Sequence, residues 1–349
     1  MLRKMCVLFL LFIACSKNPT NSSEWKSWKI RSPASQQMDA DILNDAIQHA
    51  KNLRFLLGLV VTRNGYIVSE YYREYFYSVD SVQSTFSVTK SVVSALIGIA
   101  YHEGYIESLN KKIMDYFPEY KNYVIDSRIS NVTIRQLLTM KGGFNSDMAY
   151  LDYLLGQDDW LLSVLRRCLV YPPGEEFFYS SFGAHLLSGI LTKATGRSTS
   201  DFAEEVLFGP LSIEKYEWLQ EPNGTNMGGY GLSLRTRDMA TFGYLYLKKG
   251  NLKGKQIIPE SWIDASFQYD TSFSESWGDV ENLGYGYLWW LGDIGGEPIY
   301  MASGRHGQFI FVIPSLDMVI ATSALNKDDG TQSEQILNFV TQYILPAVR

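Results

Sequence analysis

Ser87-Val88-Thr89-Lys90-Ser91-Val92-Val93-Ser94-Ala95-Leu96-Ile97-Gly98-Ile99-Ala100-Tyr101 is the stretch on which the reading of this chain turns. Its apolar residues run nearly all round a helical wheel, so it predicts a helix buried on every side. Just upstream, Phe55 to Thr62 and Tyr66 to Tyr72 are β-rich runs joined near Asn64-Gly65, a strong hairpin signal. Asp39 to Leu53 carries Ile42, Leu43, Ala46, Ile47 and Ala50 at helical spacing. Strands return at the far end, with Gln308 to Ile313 and Met318 to Ser323 around the Pro314–Asp317 turn. Ser333 to Leu345 closes as an amphipathic helix.

Between these ends the text is mostly helical, with Thr133 to Met140 and Ala184 to Ala194 as helices. Gly142-Gly143, Pro172-Pro173-Gly174 and Gly228-Gly229 are breaks. The expected fold class is α+β: both hairpins in one antiparallel sheet, flanked by terminal helices, with an all-helical region inserted. The boundaries expected are a signal at 1–15, a polar tether at 16–37, an α/β sheet domain at 38–101 plus 285–349, and a helical insertion at 102–284.

The chain has 349 residues, 46% hydrophobic and 19% charged, with a formal net charge of -6. That length can bury a large core, and a weakly acidic chain without a basic block argues against a nucleic-acid partner. Arg3 and Lys4 precede an apolar run from Met5 to Ala14, which is too short to span a bilayer. Phe12-Ile13-Ala14-Cys15 followed by a polar stretch resembles a bacterial lipoprotein signal. It implies lipidation of Cys15, export, and a membrane-anchored place in the cell envelope; a plain secretory signal cut near Ala14 is the alternative. Cys6 and Cys15 fall in this segment, so Cys168 has no partner for a disulfide. Cys168 lies in a helical pattern and is expected to be a buried thiol.

A serine hydroxyl needs a base in contact before it attacks. Ser87 and Lys90 are three residues apart on one helical face, and burial favours the neutral amine. The helix start also offers backbone N–H groups to developing negative charge. Ser23/Lys26, Ser108/Lys111 and Ser212/Lys215 share the spacing, but only Ser87 opens an apolar helix after a hairpin. On spacing alone, a helix cap explains Ser87 as well as a nucleophile does.

Ser87-Val88-Thr89-Lys90 before that helix resembles the first motif of the serine β-lactamase and penicillin-binding-protein superfamily. The similarity is greatest to the branch with class C β-lactamases, esterases and nylon-oligomer hydrolases. Thr133 to Thr139, Pro173 to Ser181, Gly231 to Ala240, Tyr285 to Trp290 and Gly304-Arg305-His306-Gly307-Gln308 resemble further blocks, in the family's order. The resemblance covers roughly Asp39 to the C terminus and implies a β-lactamase/transpeptidase-like fold. It implies Ser87, Lys90 and Tyr179 as catalytic residues, with the backbone N–H groups of Ser87 and Gln308 as oxyanion hole. It also implies Ser181, Arg305, His306 and Gly307 around the substrate, and no metal or organic cofactor.

Two positions depart from the family pattern. Ser181 stands where many relatives have Asn, and Arg305-His306-Gly307 stands in place of Lys-Thr-Gly. These changes favour cleavage of an ester or amide in a small molecule or peptide over efficient β-lactam hydrolysis. A D-Ala-D-Ala carboxypeptidase, D-amino acid peptidase or β-lactamase would use the same site. A catalytically silent binding lipoprotein is the reading from another class. His49, His102 and His185 read as structural, and Trp289, Trp290, Tyr285 and Tyr287 as either cleft wall or core edge.

Overall fold

The computed structural model describes residues 27–145, 156–326 and 330–349. The signal-like segment with Cys15 lies outside the described residues.

Asp39 caps the first helix, Ala40–Asn52, by accepting from the N–H groups of Asp41 and Ile42. Strands β1 (Leu56–Arg63) and β2 (Tyr66–Tyr72) then form the expected hairpin. Asn64 and Gly65 take φ of 51° and 79°, the left-handed pair that a two-residue turn needs to match strand twist. β12 (Gln308–Ile313) and β13 (Met318–Ala324) form the second hairpin. β13 pairs antiparallel with β1, setting Leu59 opposite Thr322 and Val61 opposite Ile320. The two ends of the chain therefore share one sheet.

That sheet extends beyond β12 through β11 (Glu297–Gly304), β10 (Trp290–Ile294), β9 (Val280–Tyr285) and β8 (Thr271–Ser272). Its order is β2-β1-β13-β12-β11-β10-β9-β8 among the described residues. β12 is buried along its whole length because apolar layers cover both faces. Phe309, Phe311 and Ile313 pack with Leu43, Ala46, Ile336 and Val340 of the terminal helices. Ile310 and Val312 point the other way, toward Val92, Leu96 and Met239. At about 25 cal/mol per Å² of apolar surface, each such side chain stabilises the fold by about 2 kcal/mol.

The Val88–His102 helix is buried at every position from Val88 to Ala100. It packs between β11 and the Ser181–Thr195 helix. Its buried polar side chains find partners: Thr89 donates to the Phe86 carbonyl, Ser91 to that of Leu288 and Ser94 to that of Tyr287.

The structure moves two expected boundaries. The sheet takes up β8 and most of β9 before residue 285, and the Thr236–Leu247 helix packs on β1, β12 and β13. The helical insertion thus ends well before residue 284. The described part of the expected tether is also attached to the sheet. Ile30 bridges Ile67, and Trp28 donates to the Thr241 hydroxyl. Cys168 is exposed, not buried, because its helix ends at Leu165 and the chain turns outward. No helix among the described residues is long and apolar enough to cross a membrane.

Candidate active site

A small sheet brings the site together. β3 (Val82–Ser84) pairs with β5 (Leu232–Arg235), which also pairs with β4 (Tyr216–Trp218). Immediately after β3, Thr85 bonds the Leu232 carbonyl through both its N–H and its hydroxyl. The chain then turns through Phe86, which holds a left-handed φ of 46° that few bulky residues adopt. Ser87 follows at the N-cap position of the long helix, yet its side chain makes no capping bond. The capping explanation for Ser87 fails on that point.

The Ser87 Oγ instead lies 2.9 Å from the Nζ of Lys90, one turn along. Lys90 donates to the Ser181 hydroxyl at 3.0 Å and to the Gly229 carbonyl at 2.6 Å. Its side chain is buried, and desolvation pushes its pKa down to about 7. The Tyr179 phenol lies near Ser87 on the cleft, and the Lys90 amine sits 4.7 Å from the centre of its ring. Desolvation pushes the Tyr179 phenol up to about 12, opposed by the Ser87 hydroxyl. The phenol therefore keeps its proton at neutral pH while the lysine is poised to lose its own.

Local backbone structure fixes each partner. The Phe178 N–H bonds the Met140 carbonyl, and Ser180 caps the Ser181–Thr195 helix by accepting from Gly183. Tyr179 and Ser181 thus flank a helix start. Gly229 reaches Lys90 because it passes against that helix without a side chain. A Cβ there would lie 2.5 Å from the Ser181 carbonyl oxygen. A Cβ on Gly304 would lie 2.1 Å from the Thr85 carbonyl oxygen, so only glycine lets the end of β11 approach the nucleophile loop.

Ser87, Tyr179 and Ser181 open onto a cleft of about 380 Å³. Trp277, Trp290 and Ser333 line it too, with Ser303, Gly304 and Arg305 at the end of β11. Three expected site residues lie elsewhere. Gln308 is fully buried, and its side chain exchanges two hydrogen bonds with the Ala324 backbone. His306 is buried with its ring edge-on to Phe86, and the Gly307 carbonyl accepts from Thr322. The cleft is lined at the end of β11 by Ser303, Gly304 and Arg305, and His306, Gly307 and Gln308 are not among its lining residues. Trp290 is cleft wall, while Trp289 is core. Gly229 and Trp277 had no motif to mark them, because their roles come from contacts distant in sequence.

A second buried polar pair stands behind the site. His185 and Glu221 are both buried, 4.0 Å apart, and the Gly228 N–H donates to the His185 Nδ1. Desolvation pushes His185 down to about 3 and Glu221 up to about 7. Among the described residues no group of three His, Cys, Asp or Glu side chains comes together as a metal site.

The family model described as Beta-lactamase matches residues 49–342. An uncharacterized protein of Alkalihalophilus pseudofirmus is 25% identical over 271 residues, covering 69% of this chain and 72% of the relative. Protein flp of Staphylococcus aureus is 26% identical over 216 residues, covering 59% of this chain and 43% of flp. This chain therefore spans less than half the length of flp. A solved structure from Bacillus anthracis, assigned as a 6-aminohexanoate-dimer hydrolase, superposes with a TM-score of 0.72 at 19% identity. The overlap covers 94% of this chain and 90% of that one.

Proposed function

The chain belongs to the Beta-lactamase family, and from that premise we propose that it is a serine hydrolase that cleaves small esters or amides through an acyl-enzyme on Ser87. The observation that carries this reading is the buried Lys90 amine 2.9 Å from the Ser87 hydroxyl, beside the Tyr179 phenol, at the floor of an open cleft. In the first step Lys90 takes the Ser87 proton and Oγ bonds to the substrate carbonyl carbon. The oxyanion formed is held by backbone N–H groups. That of Ser87 meets no hydrogen-bond acceptor among the described residues, and the second donor comes from Ser303–Arg305. Tyr179 protonates the departing oxygen or nitrogen and is reprotonated by Lys90, whose amine lies against its ring. Water then bonds to the acyl carbon and gives its proton to Lys90; the acid leaves as the bond to Oγ breaks and Oγ takes that proton back.

Esters and linear amides fit better than β-lactams. Ser181 stands where an amide side chain would reach a lactam substituent, and its hydroxyl is already bonded to Lys90. A 6-aminohexanoate dimer is itself a linear amide, so the name of the Bacillus anthracis protein is consistent with this choice. The same proposal keeps the expectation of export and of an anchor on Cys15. Metabolic labelling with an alkynyl fatty acid tests the anchor: label that persists in Cys15→Ser removes it.

Intact-mass analysis after exposure to a fluorophosphonate and to a penicillin tests the nucleophile. The expected result is one fluorophosphonate adduct that is absent in Ser87→Ala, with slow or no penicillin adduct. A rapidly formed and rapidly cleared penicillin adduct would transfer the reading to β-lactamase. No adduct with either reagent would favour a silent binding protein.

A further inference from the structure

The wall of the cleft is aromatic, and the hydrolytic step makes no use of it. Trp290 lies 5.9 Å from Tyr179 in a near-parallel stack at 20°, and Tyr285 braces it edge-on from behind at 4.9 Å. Trp277 comes from the loop between β8 and β9, where it and Val280 exchange both backbone hydrogen bonds. Its ring stands 5.7 Å from that of Trp290 and 5.6 Å from that of Phe309. Both tryptophans line the cleft and are partly exposed. Partly exposed, immobilised indole rings beside a nucleophile mark a binding surface for flat apolar groups.

We propose that Trp277 and Trp290 form an aryl subsite, so that the preferred substrate is an ester or amide carrying an aromatic ring near the scissile bond. This rests on Ser87 being the nucleophile.

The test uses the full chain and compares rates of Ser87 modification by fluorophosphonates that differ only in one substituent. Each reaction forms an Oγ–P bond, expels fluoride and leaves the serine proton on Lys90, so no natural substrate is needed. A phenylethyl reagent should react about tenfold faster than its ethyl counterpart. Trp277→Ala should bring the phenylethyl-to-ethyl ratio close to one, while Trp277→Phe should keep most of it. Equal rates for the two reagents in the unaltered chain, or an unchanged ratio in Trp277→Ala, would overturn the subsite and leave the hydrolase reading standing. Absence of any Ser87 adduct would bring down both.

Discussion

The Lys90 amine stands 2.6 Å from the Gly229 carbonyl oxygen, closer than it stands to Ser87, and this contact sets the direction of the Ser87 hydrogen bond. A carbonyl can only accept. A neutral amine has two N–H groups and one lone pair. With Gly229 and Ser181 taking the two N–H groups, the lone pair is left for the Ser87 proton. As an ammonium, Lys90 would donate to all three oxygens, and Ser87 would have no base.

Activity should therefore rise with pH and level off, with an apparent pKa of about 7 that belongs to Lys90. Below that value kcat/KM should fall about tenfold per pH unit as the lone pair is lost. Lys90→Arg should lie at least about 10³-fold below the unaltered chain throughout, because guanidinium stays protonated. A flat profile between pH 5 and 8 would count against Lys90 as the base.

Tyr179→Phe removes the phenol but keeps the ring against Trp290 and Tyr285. Its kcat should drop about 10²- to 10³-fold, in the range of a lost general acid, with little change in thermal midpoint. Steady-state kinetics together with a melting curve checks both halves. Unchanged kcat would leave Tyr179 as packing only.

Gly229→Ala drives a Cβ to within 2.5 Å of the Ser181 carbonyl oxygen, and the backbone has to shift. The Gly229 carbonyl then leaves Lys90. Stability should fall by about 1–3 kcal/mol, and activity by at least about tenfold even at temperatures where the variant is folded. Denaturant titration and kinetics on the same sample separate the two effects.

Glu221 gives stability an unusual pH dependence. Its carboxyl has a folded pKa near 7 against an ordinary value of 4.5. Between those values the folded chain holds a proton that the unfolded chain has released, so stability from this group falls as pH rises through the window. His185, held down to about 3 from 6.5, works in the opposite sense: its stability is lost as pH falls below 6.5. Glu221→Gln keeps an oxygen for the Trp160 N–H, which now bonds the carboxylate. It should gain on the order of 2 kcal/mol relative to the unaltered chain at pH 9, and little at pH 5. Chemical denaturation at the two pH values measures the difference; equal effects at both would remove the argument.

Much of this site was legible in the residue string. The helix at Ser87 was marked by an apolar run too continuous for a surface helix, and the hairpin at Asn64-Gly65 by the two residues that tolerate positive φ. Ser87, Lys90, Tyr179 and Ser181 meet as their motif positions suggested. Of the third-motif residues, Arg305 lines the cleft while the His306 and Gln308 side chains are buried. Arg305-His306-Gly307-Gln308 spans the β11–β12 turn, and alternation at a tight turn cannot be counted from the string alone. The apolar Leu161–Val170 run, likewise, did not reveal where its helix would stop and leave Cys168 outside.

Local chemistry written in the chain determined which segments became helix or strand, because periodicity and turn residues act over a few neighbours. It also determined that one serine had a lysine a single turn away. Tertiary structure alone decided the state of that lysine. Its lowered pKa comes from desolvation by a helix, a glycine loop and a tyrosine that lie 89 to 139 residues further along, and burial is a property of the assembled surroundings. The aromatic wall has the same origin: Trp277 and Trp290 acquire meaning only where the folded sheet sets them beside Ser87.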